Sequence, residues 1–213
     1  MTLCSPGYSM LLSLTKKFLF IANLKTASTS IERVLSPHAE IRLVQSRFGK
    51  HQSFSDFAER FKWILGCTNV HDLFIFGVMR DPVDYVVSLY NSHRIEQFRT
   101  TPKLYTGDMD FKQFLAEWVP KNADQLRPQF ARFTGVEGRV AANLIISYDK
   151  LAEGLEIVAN KLDIKELLHL PRSNTSPSTL TRDDLSPEQI QWVENRLTKD
   201  REFMATFCNR LLG

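Results

Sequence analysis

Unbroken apolar runs recur along the chain, and each ends in a short polar turn that leads into a segment with helical spacing. The clearest runs lie within residues 17–22, 73–79 and 143–147. Continuous apolar runs of this length are typical of strands that are covered on both faces. Because these strands alternate with helices, the pattern predicts an α/β fold with a central parallel sheet flanked by helices.

The predicted elements run through the whole chain of 213 residues, which we interpret as a single domain over residues 1–213. Residues 97–110 and 171–181 are predicted loops. The predicted strands cover residues 17–22, 41–44, 73–79 and 143–147. The predicted helices cover residues 28–35, 53–65, 83–93, 111–119, 123–132 and 151–162, with a final helical region over 186–212. Ligands of parallel sheets bind beyond the carboxyl ends of the strands, so polar residues there are the site candidates.

The turn after the first predicted strand is rich in groups that bind anions. It holds one ammonium group and four hydroxyl groups. A helix N-terminus follows, which carries unpaired N–H groups and a partial positive charge. Ordinary capping by serine and threonine has the same composition, so this segment alone leaves capping and anion binding open. The residues concerned are Lys25, Thr26, Ala27, Ser28, Thr29 and Ser30.

A Walker-type nucleotide loop is the obvious alternative for this turn. The Walker pattern requires two glycines, one of them directly before its lysine. The corresponding positions here are Leu19 and Leu24. Without the glycines the backbone cannot wrap a triphosphate in the usual way, which disfavours a Walker-type enzyme.

A second segment of the same kind follows the strand over residues 73–79. Asp81 can cap the next helix, with Pro82 in its first turn. Arg80 ends the strand and Ser88 lies nearly two turns into the helix, so both could reach one phosphate above the sheet edge. An ion pair between Arg80 and a nearby carboxylate is the alternative for this segment alone. Together, the two segments predict a ligand with two separate phosphate-like groups.

In this order and strand context, the two segments resemble those of the sulfotransferases that use 3′-phosphoadenosine-5′-phosphosulfate (PAPS). The 5′-phosphosulfate loop of that family typically reads P-K-T-[AG]-[ST]-[ST]-S, and residues 23–30 read N-L-K-T-A-S-T-S. Its 3′-phosphate motif typically reads R-[DN]-P-x-x-x-x-x-S-x-[YF], and residues 80–90 read R-D-P-V-D-Y-V-V-S-L-Y. Leu24 replaces the usual proline, which alters the loop entry but removes no binding group. The resemblance implies a P-loop-like three-layer fold.

Looser similarity to carbohydrate-type members of the family extends over most of the chain. Residues 49–53 resemble their K-H-x-[ST] segment, and residues 127–130 resemble their P-Q-x-[FY] stretch. Residues 145–151 resemble a strand and turn of the family, and residues 174–176 resemble the late loop that closes over the cofactor. The resemblance therefore adds Asn174 to the cofactor-binding residues.

The resemblance also implies roles for individual residues. Lys25 would neutralise the leaving 5′-phosphate, which residues 26–30 would hold, while Arg80 and Ser88 would hold the 3′-phosphate. A hydroxyl acceptor needs a base, and His51 is the first candidate because imidazole titrates near neutral pH. Glu32, one turn after the loop, is the other candidate for the base, or it could order Lys25.

Composition and charge limit the classes of cofactor and binding partner that the sequence predicts. A net charge of +3 and a pI near 8.8 favour an anionic cofactor but are no nucleic-acid signature. Cys4, Cys67 and Cys208 are far apart, so neither a metal site nor disulfides are predicted, and reduced thiols fit the cytoplasm. Lys16 and Lys17 interrupt the N-terminal apolar stretch, which predicts neither a signal peptide nor stable membrane insertion.

These observations lead us to expect a PAPS-dependent sulfotransferase. It would transfer a sulfuryl group to a hydroxyl or amine of an acceptor by in-line displacement, with 3′-phosphoadenosine-5′-phosphate (PAP) as the product. A carbohydrate acceptor is expected on family analogy alone, and a small-molecule acceptor or a lipid head group stays open. The alternatives are a nucleotide-dependent phosphotransferase with a degenerate phosphate loop and a non-catalytic nucleotide-binding domain. The sequence does not predict an oligomeric state.

Overall fold

One open sheet organises the fold. A computed structural model of the chain describes residues 8–44, 53–66, 68–135, 137–171 and 179–212. In these residues five strands pair in the order β3-β1-β2-β4-β5. The strands are β1 (Tyr8–Ser13), β2 (Phe18–Ile21), β3 (Ile41–Val44), β4 (Phe74–Met79) and β5 (Leu144–Ser147).

The fold is α/β, but the predicted central parallel sheet flanked by helices is not confirmed, because the sheet is mixed. Strands β2, β4 and β5 pair in parallel, but β1 runs antiparallel to both β2 and β3. The two lysines that interrupt the N-terminal apolar stretch belong to the hairpin turn between β1 and β2. In that turn the Ser13 hydroxyl accepts a hydrogen bond from Lys16 N–H at 3.0 Å, and Lys17 has a φ of 52°. The interruption therefore marks a turn between two strands.

Most predicted helices are present. The predictions over 28–35 and 151–162 are confirmed at both ends, whereas the predicted helices over 53–65 and 186–212 are each divided in two. A π-helical turn, Phe114–Trp118, joins α5 to α6. No helix in the described ranges is long and apolar enough to cross a membrane. The helices are α1 (Ser28–Leu35), α2 (Phe54–Arg60), α3 (Lys62–Leu65), α4 (Pro82–His93), α5 (Phe111–Gln113), α6 (Val119–Lys121), α7 (Leu151–Leu162), α8 (Pro187–Arg196) and α9 (Thr198–Phe207).

The predicted helix over residues 123–132 is wrong. The helical part of this segment is a single 3₁₀ turn, Phe130–Arg132. Pro128 has no N–H to donate, and the next two N–H groups, of Gln129 and Phe130, donate to the carboxylate of Asp200 at 2.9 Å each. A distant side chain thus takes the donors that a helix would have used.

Side chains of the strands alternate between two apolar cores. Phe18 and Phe20 of β2 point into a core that α1 and α7 complete. Leu19 and Ile21 point into a second core, which includes Phe57 of α2 and residues of α9. This alternation explains why β2 has no polar face: every residue of the strand is buried.

A third apolar core lies apart from the sheet strands. Helix α4 packs mainly against α8, and it shares this core with Phe114 of the π-helical turn and Val193 of α8. Leu24, from the turn after β2, packs against the same core. The ends of β2 and β4 therefore lie where the sheet meets this third core.

Candidate anion-binding site

Three neighbouring parallel strands end at one edge of the sheet. Each is followed by a loop or side chain that could bind an anion or orient a group that does. The loop of residues 23–30 follows β2, Arg80 follows β4, and Tyr148 follows β5. Because β2, β4 and β5 are adjacent and parallel, these segments are brought together although they are far apart in sequence. We call this place the carboxyl-edge site.

The loop after β2 takes an unusual backbone conformation without glycine. Lys25 has a φ of 62° and Ala27 a φ of 58°, both in the left-handed region. That region costs a non-glycine residue about 1–2 kcal/mol. Ala27 is also the N-cap of α1, where no side chain caps the helix. The chain therefore keeps a strained turn that leaves the N-terminus of α1 without a side-chain cap.

Hydroxyl groups inside this loop hold its shape. Thr26 Oγ1 donates to the Asn23 carbonyl oxygen at 3.0 Å, and the Ser28 hydroxyl donates to the same oxygen. Ser30 N–H donates to the Ala27 carbonyl at 2.9 Å. These groups are used within the loop, so they are not the donors that a phosphate would meet.

The groups left for an anion are mainly backbone N–H groups. Within the part of the chain that the structure describes, the N–H groups of residues 27–29 have no hydrogen-bond acceptor. Lys25 and Thr29, in the same loop and the first turn of α1, are half-buried. N–H groups at the start of a helix are well suited to a phosphate, because the helix dipole adds a partial positive charge.

Leu24, which stands where the family pattern has proline, has two roles in the structure. Its N–H, which a proline would lack, donates to Asn23 Oδ1 at 2.9 Å. Its side chain packs against the third core beside α4. The leucine therefore anchors the loop to α4, so the departure from the pattern still gives an ordered entry to the loop.

The Arg80 side chain contacts a backbone carbonyl and an aromatic ring. It has no carboxylate partner among the described residues. Its Nη1 donates to the Lys25 carbonyl oxygen at 3.4 Å, and its Cζ lies 4.5 Å from the centre of the Tyr148 ring. Its Nε is buried and has no hydrogen-bond partner within the described residues. A buried donor without a partner is uncommon in a folded protein and is an observation expected of a ligand site.

The predicted helix cap is confirmed, and it contributes an ion pair to a different arginine. Asp81 Oδ1 accepts from the N–H groups of Val83 and Asp84 at 2.9 and 3.2 Å. The same oxygen accepts from Arg182 Nη1 at 2.8 Å. The ion pair at the start of α4 is therefore made by Arg182, which leaves Arg80 oriented toward the loop after β2.

Ser88 lies on α4 and is half-buried. The structure records no hydrogen bond for its hydroxyl group within the described residues. Ser88 and Arg80 thus belong to the same strand–helix unit, and no hydrogen bond joins them within the described residues.

Gln129 is a residue of this site whose role sequence reasoning missed. Its side-chain Oε1 accepts from Arg80 N–H at 3.0 Å and from Asn23 Nδ2 at 3.2 Å. Its Nε2 donates to the Arg80 carbonyl oxygen at 2.8 Å. The signal in the sequence was the Pro-Gln pair at 128–129, which supported the family resemblance but indicated no role. Its role follows from the hydrogen bonds that join Gln129 to Asn23 and Arg80.

A buried histidine, His93, lies at the end of α4. It is 4% exposed and packs on Phe98 and Trp118, with ring centres 4.4 and 5.1 Å away. Its Nδ1 lies 2.9 Å from the Leu89 carbonyl oxygen and therefore donates to it. Burial lowers the pKa of His93, and the positive charge of Lys25 lowers it further.

The two candidate bases have different outcomes. Glu32 lies on α1 and is buried, with 3% of its surface exposed. His51 lies outside the described residues, as does Asn174. The helix after His51 begins with a capping box made by Ser53 and Asp56, so that helix is capped by its own residues.

The carboxyl-edge site can hold two anionic groups by different means. The N-terminus of α1 presents backbone N–H groups beside Lys25, and Arg80 presents a guanidinium group from the neighbouring strand end. Both lie on the same edge of the sheet, at the ends of strands β2 and β4. Comparisons of the chain with protein-family models, with curated proteins and with solved structures found no match.

Proposed function

We propose that the protein is a sulfotransferase that transfers a sulfuryl group from PAPS to an acceptor hydroxyl or amine. One observation carries this proposal: the Arg80 guanidinium is directed to the loop after β2, and its buried Nε has no partner among the described residues. A guanidinium group so directed would bind a second anion beside the N-terminus of α1. PAPS carries one phosphate group at its 5′ position and another at its 3′ position. These two groups would occupy the N-terminus of α1 and the Arg80 guanidinium.

The donor set of the site fits this cofactor. The N–H groups of residues 27–29 would hold the 5′-phosphate, and Arg80 would hold the 3′-phosphate with charge-assisted hydrogen bonds. Ser88 and Asn174 are assigned to the cofactor by sequence resemblance. The parallel unit β2-β4-β5 with α1 behind its loop supports the P-loop-like part of the proposal.

The proposed mechanism relies on positioning and electrostatics. PAPS supplies an activated sulfuryl group, which the acceptor oxygen or nitrogen attacks in line as the bond to the 5′-phosphate breaks. Negative charge then grows on the leaving phosphate oxygen, and Lys25 would stabilise it. His51 is the proposed base and Glu32 the second candidate. A carbohydrate acceptor and a cytoplasmic location are parts of the proposal that rest on the sequence alone.

Calorimetric titration with PAP tests the proposal, with ATP plus magnesium as the comparison. We expect metal-independent binding of PAP and weak binding of ATP. Arg80→Ala should lower PAP affinity by about 10- to 100-fold, since hydrogen bonds to a charged group contribute about 1.5–3 kcal/mol. The same variant should bind AMP, which lacks the 3′-phosphate, as well as the wild type does.

Each other result assigns a different function. A preference for ATP with magnesium would favour a phosphotransferase with a degenerate loop. Tight PAP binding without turnover on a broad panel of acceptors would favour a non-catalytic nucleotide-binding domain. Equal losses of PAP and AMP in Arg80→Ala would remove the 3′-phosphate assignment from that residue.

A further inference from the structure

One buried amide joins the two segments of the carboxyl-edge site. Gln129 is 1% exposed, and its side chain makes three hydrogen bonds to two different strand ends. Two of the bonds are to the backbone of Arg80, whose N–H donates to Gln129 Oε1 and whose carbonyl oxygen accepts from Gln129 Nε2. The third is to Asn23, the residue whose carbonyl oxygen accepts the inward hydroxyl groups of the loop.

Asn23 continues this connection into the sheet. It is 2% exposed, and its Nδ2 donates to the Val78 carbonyl oxygen of β4 at 3.2 Å as well as to Gln129. Its Oδ1 accepts from the Leu24 N–H. The start of the loop after β2 is therefore fixed to β4 and to Gln129 by one side chain.

The position of Gln129 is in turn set by the C-terminal helical region. Asp200 of α9 is fully buried, and its two carboxylate oxygens accept from the N–H groups of Gln129 and Phe130 at 2.9 Å each. Burial raises the pKa of Asp200, although both hydrogen bonds oppose the shift. Each oxygen of the buried Asp200 carboxyl group accepts one backbone N–H, which offsets the cost of burying it. These two hydrogen bonds fix the backbone from which the Gln129 side-chain amide extends.

We propose that Gln129 is a positioning residue that holds the two phosphate-binding segments in register, and that Asp200 acts through it. This inference rests on the proposed function, because it takes residues 27–29 and Arg80 to bind the two phosphates of one ligand. Register matters for such a ligand. A ligand with two anchors gains affinity over one with a single anchor only while the two sites keep the spacing that the ligand spans.

If Gln129 had a purely structural role, its removal would not lower nucleotide affinities selectively. Without the Gln129 amide, each segment can still bind one phosphate, but their separation is no longer fixed. We expect Gln129→Ala to lower PAP affinity by about 10-fold or more and the affinities for 5′-AMP and 3′-AMP by less than about 3-fold. Calorimetry with the three nucleotides on the full chain measures this difference.

Two further variants keep the test valid if Gln129→Ala folds poorly. Gln129→Glu keeps the size and the acceptor oxygen but faces the Arg80 carbonyl with a carboxylate, so it should show the same selective loss of PAP. Asp200→Asn places an amide N–H₂ against a backbone N–H and should show a smaller loss of the same kind. Gln191→Ala, at an exposed glutamine of α8, is the matched control. Thermal unfolding establishes that each variant is folded.

The outcomes separate this inference from the proposed function. Wild-type protein that does not bind PAP overturns both. Wild-type binding together with equal losses of all three nucleotides in folded Gln129 variants, or with no losses, overturns the role of Gln129 alone. A selective loss in the Gln129 variants without one in Asp200→Asn supports Gln129 and removes Asp200 from the proposal.

Discussion

The loop after β2 and the segment after β4 lie side by side, yet they are built in opposite ways. The loop relies on its backbone: two residues have positive φ, and its inward hydroxyl groups donate to one carbonyl oxygen. The segment after β4 has an ordinary capped helix start, and its binding group is a single long side chain, Arg80. One region would bind through shape and the other through one positioned charge.

This difference predicts different sensitivities to mutation. In the loop, a change in backbone preference at Ala27 should matter even though its side chain binds nothing. After β4, the backbone should tolerate change, while the groups that orient the guanidinium should matter. Lys25 belongs to both regions, because its side chain lies at the loop and its carbonyl oxygen accepts from Arg80.

The largest effect is expected for Lys25→Ala. Removing the ammonium group takes away the charge that would stabilise the leaving phosphate, so turnover of PAPS should fall by about 100- to 1000-fold. PAP release in the presence of an acceptor panel measures turnover. Lys17→Ala is the matched control, because Lys17 is an exposed lysine at the other end of the same strand. Near-normal turnover in Lys25→Ala would reject its catalytic role.

An intermediate effect is expected for Ala27→Val. A β-branched residue is strongly disfavoured at a φ of 58°, so the variant should destabilise the native loop by about 1–3 kcal/mol. PAP affinity should fall by about 10-fold as the N–H groups at the start of α1 lose their arrangement. Calorimetry and thermal unfolding measure the two effects.

The control at this position is Ala27→Gly, which removes the strain and keeps the turn. Glycine adopts positive φ readily, so this variant should bind PAP as the wild type does. If valine and glycine behaved alike, backbone shape would not be what the loop contributes.

The smallest effect is expected for Tyr148→Ala. Its ring lies under the Arg80 guanidinium at 4.5 Å, and a contact of this kind at a partly exposed site contributes about 0.5–1 kcal/mol. PAP affinity should therefore fall by about 2- to 5-fold, with 5′-AMP affinity unchanged. Tyr148→Phe keeps the ring and should match the wild type. A loss in Tyr148→Phe as large as that in Tyr148→Ala would assign the effect to the hydroxyl group instead.

Much of the local structure could be predicted from short-range patterns. The bounds of α1 and α7, the cap of α4 by Asp81 and the buried character of β2 and β4 all follow from apolar runs and capping residues. The failures share a cause, since each depends on a partner far away in the chain. The N–H groups of Gln129 and Phe130 donate to Asp200 instead of to a helix, and β1 was missed because its pairing with β2 and β3 is set by the tertiary structure.

The sequence by itself determined an α/β chain with two strand–turn–helix segments that carry Lys25 and Arg80. Apolar periodicity and turn chemistry are local properties, so these features needed no knowledge of the fold. Only the tertiary structure decided that Arg80 is directed to the Lys25 carbonyl over Tyr148, and that Gln129 joins the two segments. Those contacts arise because three parallel strands end at the same edge of the sheet and because a buried carboxylate on α9 fixes the backbone of Gln129. Residues that are far apart in sequence make these contacts, so no local pattern predicts them.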